Sequence, residues 1–248
     1  MSRLLTDQLS PSVPSLKKLR SARDQLWADG WTVVPGFLPE PVLDALNAEA
    51  DRLLATAQSG ADRDCDVDPG GVVQTMNALD ARSELLFDLA RTSAFLEVAE
   101  FLLEKAAMPI HIKYFGKPAG GVPATPPHQD QRFYDSHFND ERAITFWCPL
   151  QAVPVSSGAI QYRMPALDYG VLLPHLTGTT VDFGAEIVDA TGRDYLPVPV
   201  ARGAALVHHS YAAHRSGGMT VDAPRRVFAF SYRGSAYREY LRRRGSSG

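Results

Sequence analysis

Apolar residues recur at helical spacing through the first hundred positions and at strand spacing after that. Leu16, Leu19, Ala22, Leu26 and Trp27 fall on one helical face, and Gly30 is a stop signal. Trp31-Thr32-Val33-Val34 is a short β-rich run closed by Pro35-Gly36. A second helix is predicted to start between Pro39 and Pro41, with Val42, Leu43, Leu46, Ala50, Leu53 and Leu54 on its apolar face. Residues 58–71, rich in Gly, Asp and Ser, read as a mobile loop, and Val72 to Leu79 is ambiguous. Residues 83–104 predict two helical pieces broken near Thr92-Ser93, with Leu85, Leu86, Leu89, Phe95, Leu96, Ala99, Leu102 and Leu103 as their apolar faces. After Pro109 the period changes. Residues 110–115, 142–150, 158–164, 196–200, 203–207 and 227–232 read as strands separated by turn-rich segments. Helices first and strands afterwards, without strand–helix alternation, predict a mainly β protein: an antiparallel sandwich or barrel buttressed by N-terminal α-helices.

Composition narrows the class. The chain has 248 residues, 45% hydrophobic, with a net charge of −3. This is enough for one large core, and residues 1–248 are expected to form a single domain with loose termini at 1–15 and 242–248. The balanced charge argues against a nucleic-acid partner. No apolar run reaches the length of a membrane span. Cys65 and Cys148 are the two cysteines, too few for a disulfide framework or a cysteine-based zinc site. A reducing, cytoplasmic setting is the resulting expectation.

The candidate chemistry lies in Pro126-Pro127-His128-Gln129-Asp130-Gln131-Arg132-Phe133-Tyr134. On an extended segment, His128 and Asp130 project to the same side about 7 Å apart, with Gln129 turned away. An imidazole and a carboxylate so placed can hold adjacent positions on one metal ion, and a second imidazole completes a facial triad suited to Fe(II), with the opposite side open. The candidates for that imidazole are His208, His209 and His214, all following the predicted strand 203–207. The chemistry of the residues leaves the three open.

From Gly30-Trp31-Thr32-Val33-Val34-Pro35-Gly36-Phe37-Leu38 to the last strand, the chain resembles the phytanoyl-CoA dioxygenase-like Fe(II)/2-oxoglutarate oxygenases. The specific part is ordered: a His-x-Asp at His128 and Asp130, Trp147 on the next strand, then His214 and Ser216 with Arg225 eleven residues beyond the histidine. The resemblance implies a double-stranded β-helix, a jelly-roll or cupin-like barrel. It implies iron on His128, Asp130 and His214 as the catalytic centre, and the distal carboxylate of 2-oxoglutarate on Arg225 and Ser216. A guanidinium fork suits a carboxylate. Arg226 is the rival, but neighbours on a strand face opposite ways. Trp147 aligns with a tryptophan beside the co-substrate, with core packing as the alternative. Lys113 holds a position that faces the co-substrate in the family, and it shares a strand face with His111 and Phe115. Gln74 is a weaker candidate of the same kind. The chain departs from the family at Met164-Pro165-Ala166-Leu167 and at Gly217-Gly218-Met219-Thr220, changes expected to reshape the pocket mouth.

The implied cofactors are Fe(II), 2-oxoglutarate as co-substrate and O2. The implied reaction is hydroxylation of a small molecule, because Asp130 occupies the position that halogenating relatives leave to a small residue. Desaturation or cyclisation on the same ligands, a metal enzyme of this barrel that does not use 2-oxoglutarate, and a non-catalytic binding module are the alternatives. For substrate contacts the sequence offers His111, Arg132, Tyr134, Arg163 and Arg233; the arginines suggest a polar or anionic small molecule. His137, His175, His208 and His209 are assigned to solvent or local hydrogen bonds.

Overall fold

The computed structural model describes residues 9–58, 64–67, 72–91, 93–119, 124–134, 143–164, 171–176, 186–188 and 194–234. Four helices come mostly first: α1 (Leu16–Asp29), α2 (Glu40–Gln58), α3 (Glu84–Arg91) and α4 (Ser93–Leu103). Gly30 ends α1 in the left-handed conformation, φ 83°, and its N–H caps the Leu26 carbonyl. Between and after the helices come β1 (Trp31–Val34), β2 (Cys65–Val67), β3 (Val73–Met76), β4 (Ala107–Lys117), β5 (Thr125–His128), β6 (Ala143–Pro149) and β7 (Ile160–Arg163). The rest are β8 (His175–Leu176), β9 (Glu186–Ile187), β10 (Tyr195–Val198), β11 (Ala205–His209), β12 (His214–Ser216) and β13 (Arg225–Gly234). The ambiguous stretch resolves into β3 and a short 3-10 turn, Leu79–Ala81. The tail 242–248, His137 and parts of the predicted 58–71 loop lie outside the described residues.

Every strand pair is antiparallel among the described residues. A seven-stranded sheet runs β1-β11-β6-β13-β4-β3-β2, a four-stranded sheet runs β10-β7-β12-β5, and β8 with β9 forms a separate pair. The two larger sheets form the antiparallel barrel that the order of elements predicts, in the double-stranded β-helix arrangement that the resemblance implies.

The large sheet is buried on both faces, which is why β6 is buried at all seven positions. Strand alternation sorts its side chains. Ile112 and Tyr114 of β4, Ile144, Phe146 and Cys148 of β6, Ala205 and Val207 of β11, and Phe228, Phe230 and Tyr232 of β13 pack in the core shared with the helices. Phe95 of α4 is central there, with ring centroids 4.9 Å from Phe37, 5.4 Å from Phe146 and 4.6 Å from Phe230. The intervening residues face the barrel interior, where Trp147, Leu206 and Val227 meet Ile160, Tyr162 and Val198 of the small sheet. Among the described residues, no helix is long and apolar enough to cross a membrane.

Candidate active site

The barrel encloses a cavity of about 340 Å³ between the two sheets. Its metal-ligating groups come from two neighbouring strands of the small sheet. β12 pairs with β5 so that His214 is the direct partner of His128. Asp130 follows β5 at the start of a 3-10 turn, Asp130–Phe133, rather than on a continuing strand; the side chains converge nonetheless. Asp130 Oδ1 lies 3.8 Å from His128 Nε2 and 3.8 Å from His214 Nε2. One ligand atom from each of the three residues lies within 4.8 Å of the others, so these groups could hold one ion.

Each imidazole presents its Nε2 for a structural reason. His128 Nδ1 is 2.9 Å from the Pro126 carbonyl, and His214 Nδ1 is 2.8 Å from the Ala212 carbonyl. A carbonyl only accepts, so each Nδ1 carries the proton and each Nε2 keeps a free lone pair. Burial holds both rings neutral: His128 is pushed down to about 4, and His214 is lowered by burial and by its two neighbouring histidines. Burial would raise the Asp130 carboxyl, but the His208 hydrogen bond and the surrounding imidazoles more than offset this and hold it well below the usual range. The protonation states are those a divalent cation needs. Gln129 is turned away, as expected. Its side chain is fully used, accepting from Leu173 N at 2.8 Å and donating to the Val171 and Tyr211 carbonyls at 3.1 and 2.7 Å.

The assignment of His208 to solvent or local bonding is corrected. β11 runs on to His209 instead of ending at Val207, so alternation turns His208 with Leu206 into the barrel. His208 is 2% exposed, its Nε2 lies 3.1 Å from Asp130 Oδ2, and its Nδ1 lies 3.0 Å from the Tyr162 hydroxyl. Carrying the strand two residues further would have found it. His209 and His175 do make local bonds: His209 Nδ1 accepts from Tyr211 N, and His175 Nδ1 meets the Leu173 carbonyl.

Arg225 stands at the start of β13, 4% exposed and lining the cavity. Its Nη1 donates to the Gly158 carbonyl at 2.7 Å, and its guanidinium lies over the Trp147 ring, 5.3 Å from the centroid. Its Nε is buried and has no hydrogen-bond partner. Burial lowers its pKa to about 10, so it remains cationic at neutral pH. A buried guanidinium with an unused donor, no facing carboxylate among the described residues and a cavity in front of it suits an anionic ligand. Arg226 turns the other way and pairs with Asp51 of α2 at 2.7 Å. Ser216 lines the cavity and donates to Thr125 Oγ1 at 2.7 Å.

The remaining expectations divide. His111, Lys113 and Phe115 all face the cavity, as does Tyr134, which stacks on His111 at 5.7 Å. Lys113 makes no ion pair with a carboxylate among the described residues; it meets the open cavity instead. Gln74 does not line the cavity; alternation gives that place to Thr75, paired with Phe115. Three arginines are also corrected. Arg132 is exposed on the 3-10 turn, and Arg163 faces away because its neighbour Tyr162 points inward. Arg233, 1% exposed, sits behind the Tyr134 ring with its guanidinium 5.1 Å from the centroid. The expectation of an anionic substrate therefore loses its arginines. Thr145 and Ser231, on the cavity face of the large sheet, were not anticipated; nothing in their local sequence marks them.

The fold is a double-stranded β-helix, and its cavity carries a His-Asp-His group able to hold one metal ion. The family model of phytanoyl-CoA dioxygenase (PhyH) matches residues 27–227, and the chain belongs to that family. Phytanoyl-CoA dioxygenase domain-containing protein 1 of Danio rerio is 29% identical over 122 residues, which cover 47% of this chain and 41% of that relative. The chain thus spans less than half the length of the curated relative it matches. Among solved structures, the epimerase SnoN in complex with Fe3+, alpha ketoglutarate and nogalamycin RO is 21% identical with a TM-score of 0.68, covering 88% of this chain and 84% of that one. EvdO2 from Micromonospora carbonacea var. aurantiaca, complexed with 2-oxoglutarate, is 20% identical with a TM-score of 0.69, covering 90% and 93%. At these identities the structures speak to the fold.

Proposed function

We propose that this protein is an Fe(II)- and 2-oxoglutarate-dependent dioxygenase that hydroxylates an unactivated C–H bond of a small molecule, converting 2-oxoglutarate to succinate and CO2. One observation carries the reading. Three donors in metal-ready protonation states and a buried guanidinium with an unused Nε open onto the same cavity. His128, Asp130 and His214 would hold the iron, and two nitrogens with one carboxylate oxygen suit Fe(II) with positions left open. Arg225 and Ser216 would hold the distal carboxylate of the co-substrate, with Trp147 as the wall under the guanidinium. Lys113 supplies a further cation from β4, the neighbour of β13 in the sheet that carries Arg225. Iron with a 2-oxo acid and O2 supplies the oxidising power; the protein orients the reactants and keeps water from the centre. Asp130 favours hydroxylation over halogenation, because the carboxylate fills the position a halide would need. His111 and Tyr134 are the proposed substrate contacts, and the substrate is a small molecule.

The test is anaerobic loading with Fe(II) and 2-oxoglutarate, followed by O2. A visible metal-to-ligand charge-transfer band and O2-dependent release of succinate are expected. Product carrying one oxygen atom from O2 marks hydroxylation; product lacking two hydrogens marks desaturation or ring closure. Folded, metal-loaded protein that neither binds 2-oxoglutarate nor releases succinate would refute the assignment.

A further inference from the structure

His208 is the one buried histidine at the site that the proposed ligand set does not use. It sits on β11 of the large sheet, across the cavity from the strands carrying His128 and His214. Its ring centroid is 4.4 Å from that of His214, yet both of its nitrogens are committed elsewhere. Asp130 is ionised and can only accept, so His208 Nε2 carries the proton and donates to Oδ2. An imidazole with its proton on Nε2 accepts through Nδ1, and the Tyr162 hydroxyl faces Nδ1 at 3.0 Å as the donor. Tyr162 is fully buried, and its ring is stacked on Trp31, centroids 5.3 Å apart and 7° from parallel. Its hydroxyl therefore has a fixed direction. Thr145 Oγ1 donates to the same Oδ2 at 3.0 Å, and Ser231 supplies the proton that Thr145 Oγ1 accepts.

The two oxygens of Asp130 thus have different surroundings. Oδ1 faces His128 and His214, and among the described residues no hydrogen-bond donor holds it. Oδ2 is saturated by two donors from the large sheet. We infer that His208, its tautomer set by Tyr162, is a positioning residue that restricts Asp130 to one-oxygen metal coordination and so keeps a coordination position open. A cation that took both oxygens would have to displace the His208 and Thr145 donors. The small sheet supplies the ligands, and the large sheet aims the acid among them. This inference rests on the metal-site reading above.

The test is metal binding by the chelator-stripped protein, followed by Co(II) absorption titration. Unaltered protein, His208→Gln, His208→Leu, Tyr162→Phe and His128→Ala are compared, each with a thermal melt. Glutamine keeps an N–H donor and leucine does not. His208→Leu is expected to weaken Co(II) binding on the order of 10- to 100-fold and to change the d–d band shape as Asp130 turns to two-oxygen coordination. His208→Gln should recover most of the affinity and the unaltered band, and Tyr162→Phe should fall between. Should His208→Leu or, if that variant does not fold, Tyr162→Phe bind Co(II) within twofold of the unaltered protein with the same spectrum, the positioning role is wrong. Loss of binding in His208→Gln as complete as in His128→Ala would make His208 a ligand and overturn it too. Failure of the unaltered protein to bind Co(II) would sink the metal site itself, an outcome separate from both.

Discussion

His214 stands directly opposite His128 in the antiparallel ladder between β12 and β5, their ring centroids 4.2 Å apart. Residues far apart in sequence meet through one register. A one-residue slip of β12 would turn the ring of His214 to the other face of the sheet. Replacing either histidine with alanine removes one of the three donors that the described residues bring together. Both variants are expected to lose Fe(II) and Co(II) binding below detection in calorimetric titration while still unfolding cooperatively. Retained stoichiometric binding in either would show that the ion sits elsewhere.

Arg225 and Arg226 make a paired test, being adjacent in sequence and opposite in direction. Arg225→Gln should raise the KM for 2-oxoglutarate about 10- to 100-fold, the worth of one or two charge-assisted hydrogen bonds. Arg226→Gln removes a half-exposed pair with Asp51 and should change stability by less than about 1 kcal/mol, with KM unchanged. Equal effects on KM would mean that Arg225 is not the co-substrate anchor.

Gly158 supports Arg225 through its carbonyl. Its φ is +71°, and a Cβ there would lie 2.7 Å from the Gly217 carbonyl oxygen. Gly158→Ala is expected to cost about 1–2 kcal/mol from the left-handed backbone alone. The clash should also displace the carbonyl that Arg225 grips, raising the KM for the co-substrate. Denaturant melts and initial rates together check this; a destabilised variant with unaltered KM would separate the glycine from the anchor.

Stability should fall as the medium is acidified. His128 is held at about 4 in the fold against an ordinary value of 6.5, so between those values the unfolded chain binds a proton that the native state refuses. Stability is therefore full above about pH 6.5 and is lost as pH falls toward 4, by up to about 3 kcal/mol for this buried residue, 4% exposed. The lowered pKa of His214 and the depressed carboxyl of Asp130 act in the same direction. Urea melts of metal-free protein at pH 7, 5.5 and 4.5, values chosen to bracket the titration, would reveal it. A flat profile would contradict the buried neutral rings.

Phe95 joins α4 to the large sheet. Phe95→Ala should destabilise by about 3–5 kcal/mol. Because Phe95 packs on the face away from the cavity, the remaining folded fraction should bind metal normally. A change in metal affinity without loss of stability would be the contrary result.

Much of this candidate site was legible through its resemblance to a family pattern; the residue types alone left His208, His209 and His214 open as the second imidazole. A His-x-Asp, a later His-x-Ser and an arginine beyond it are read without knowing a single contact, and the helical periods of Leu43, Leu46 and Ala50 marked a face that is buried. What failed was strand extent. His208 was misassigned because β11 runs two residues past Val207, and a two-residue extension is invisible where both added residues are histidines. Arg163 and Gln74 failed for a related reason. They sit beside the residues that face inward, and parity cannot be set until the register is known. Thr145 and Ser231 are ordinary hydroxyls in apolar strands; only their convergence on Asp130, from strands apart in sequence, gives them meaning.

The parity of the large sheet has a consequence for how such a protein can change. On β4, Ile112 and Tyr114 anchor the helices while His111, Lys113 and Phe115 paper the chamber; on β13, Phe228 and Phe230 alternate with Ala229 and Ser231 in the same way. Every second letter of these strands can be rewritten to admit a different guest while the letters between go on holding the house upright.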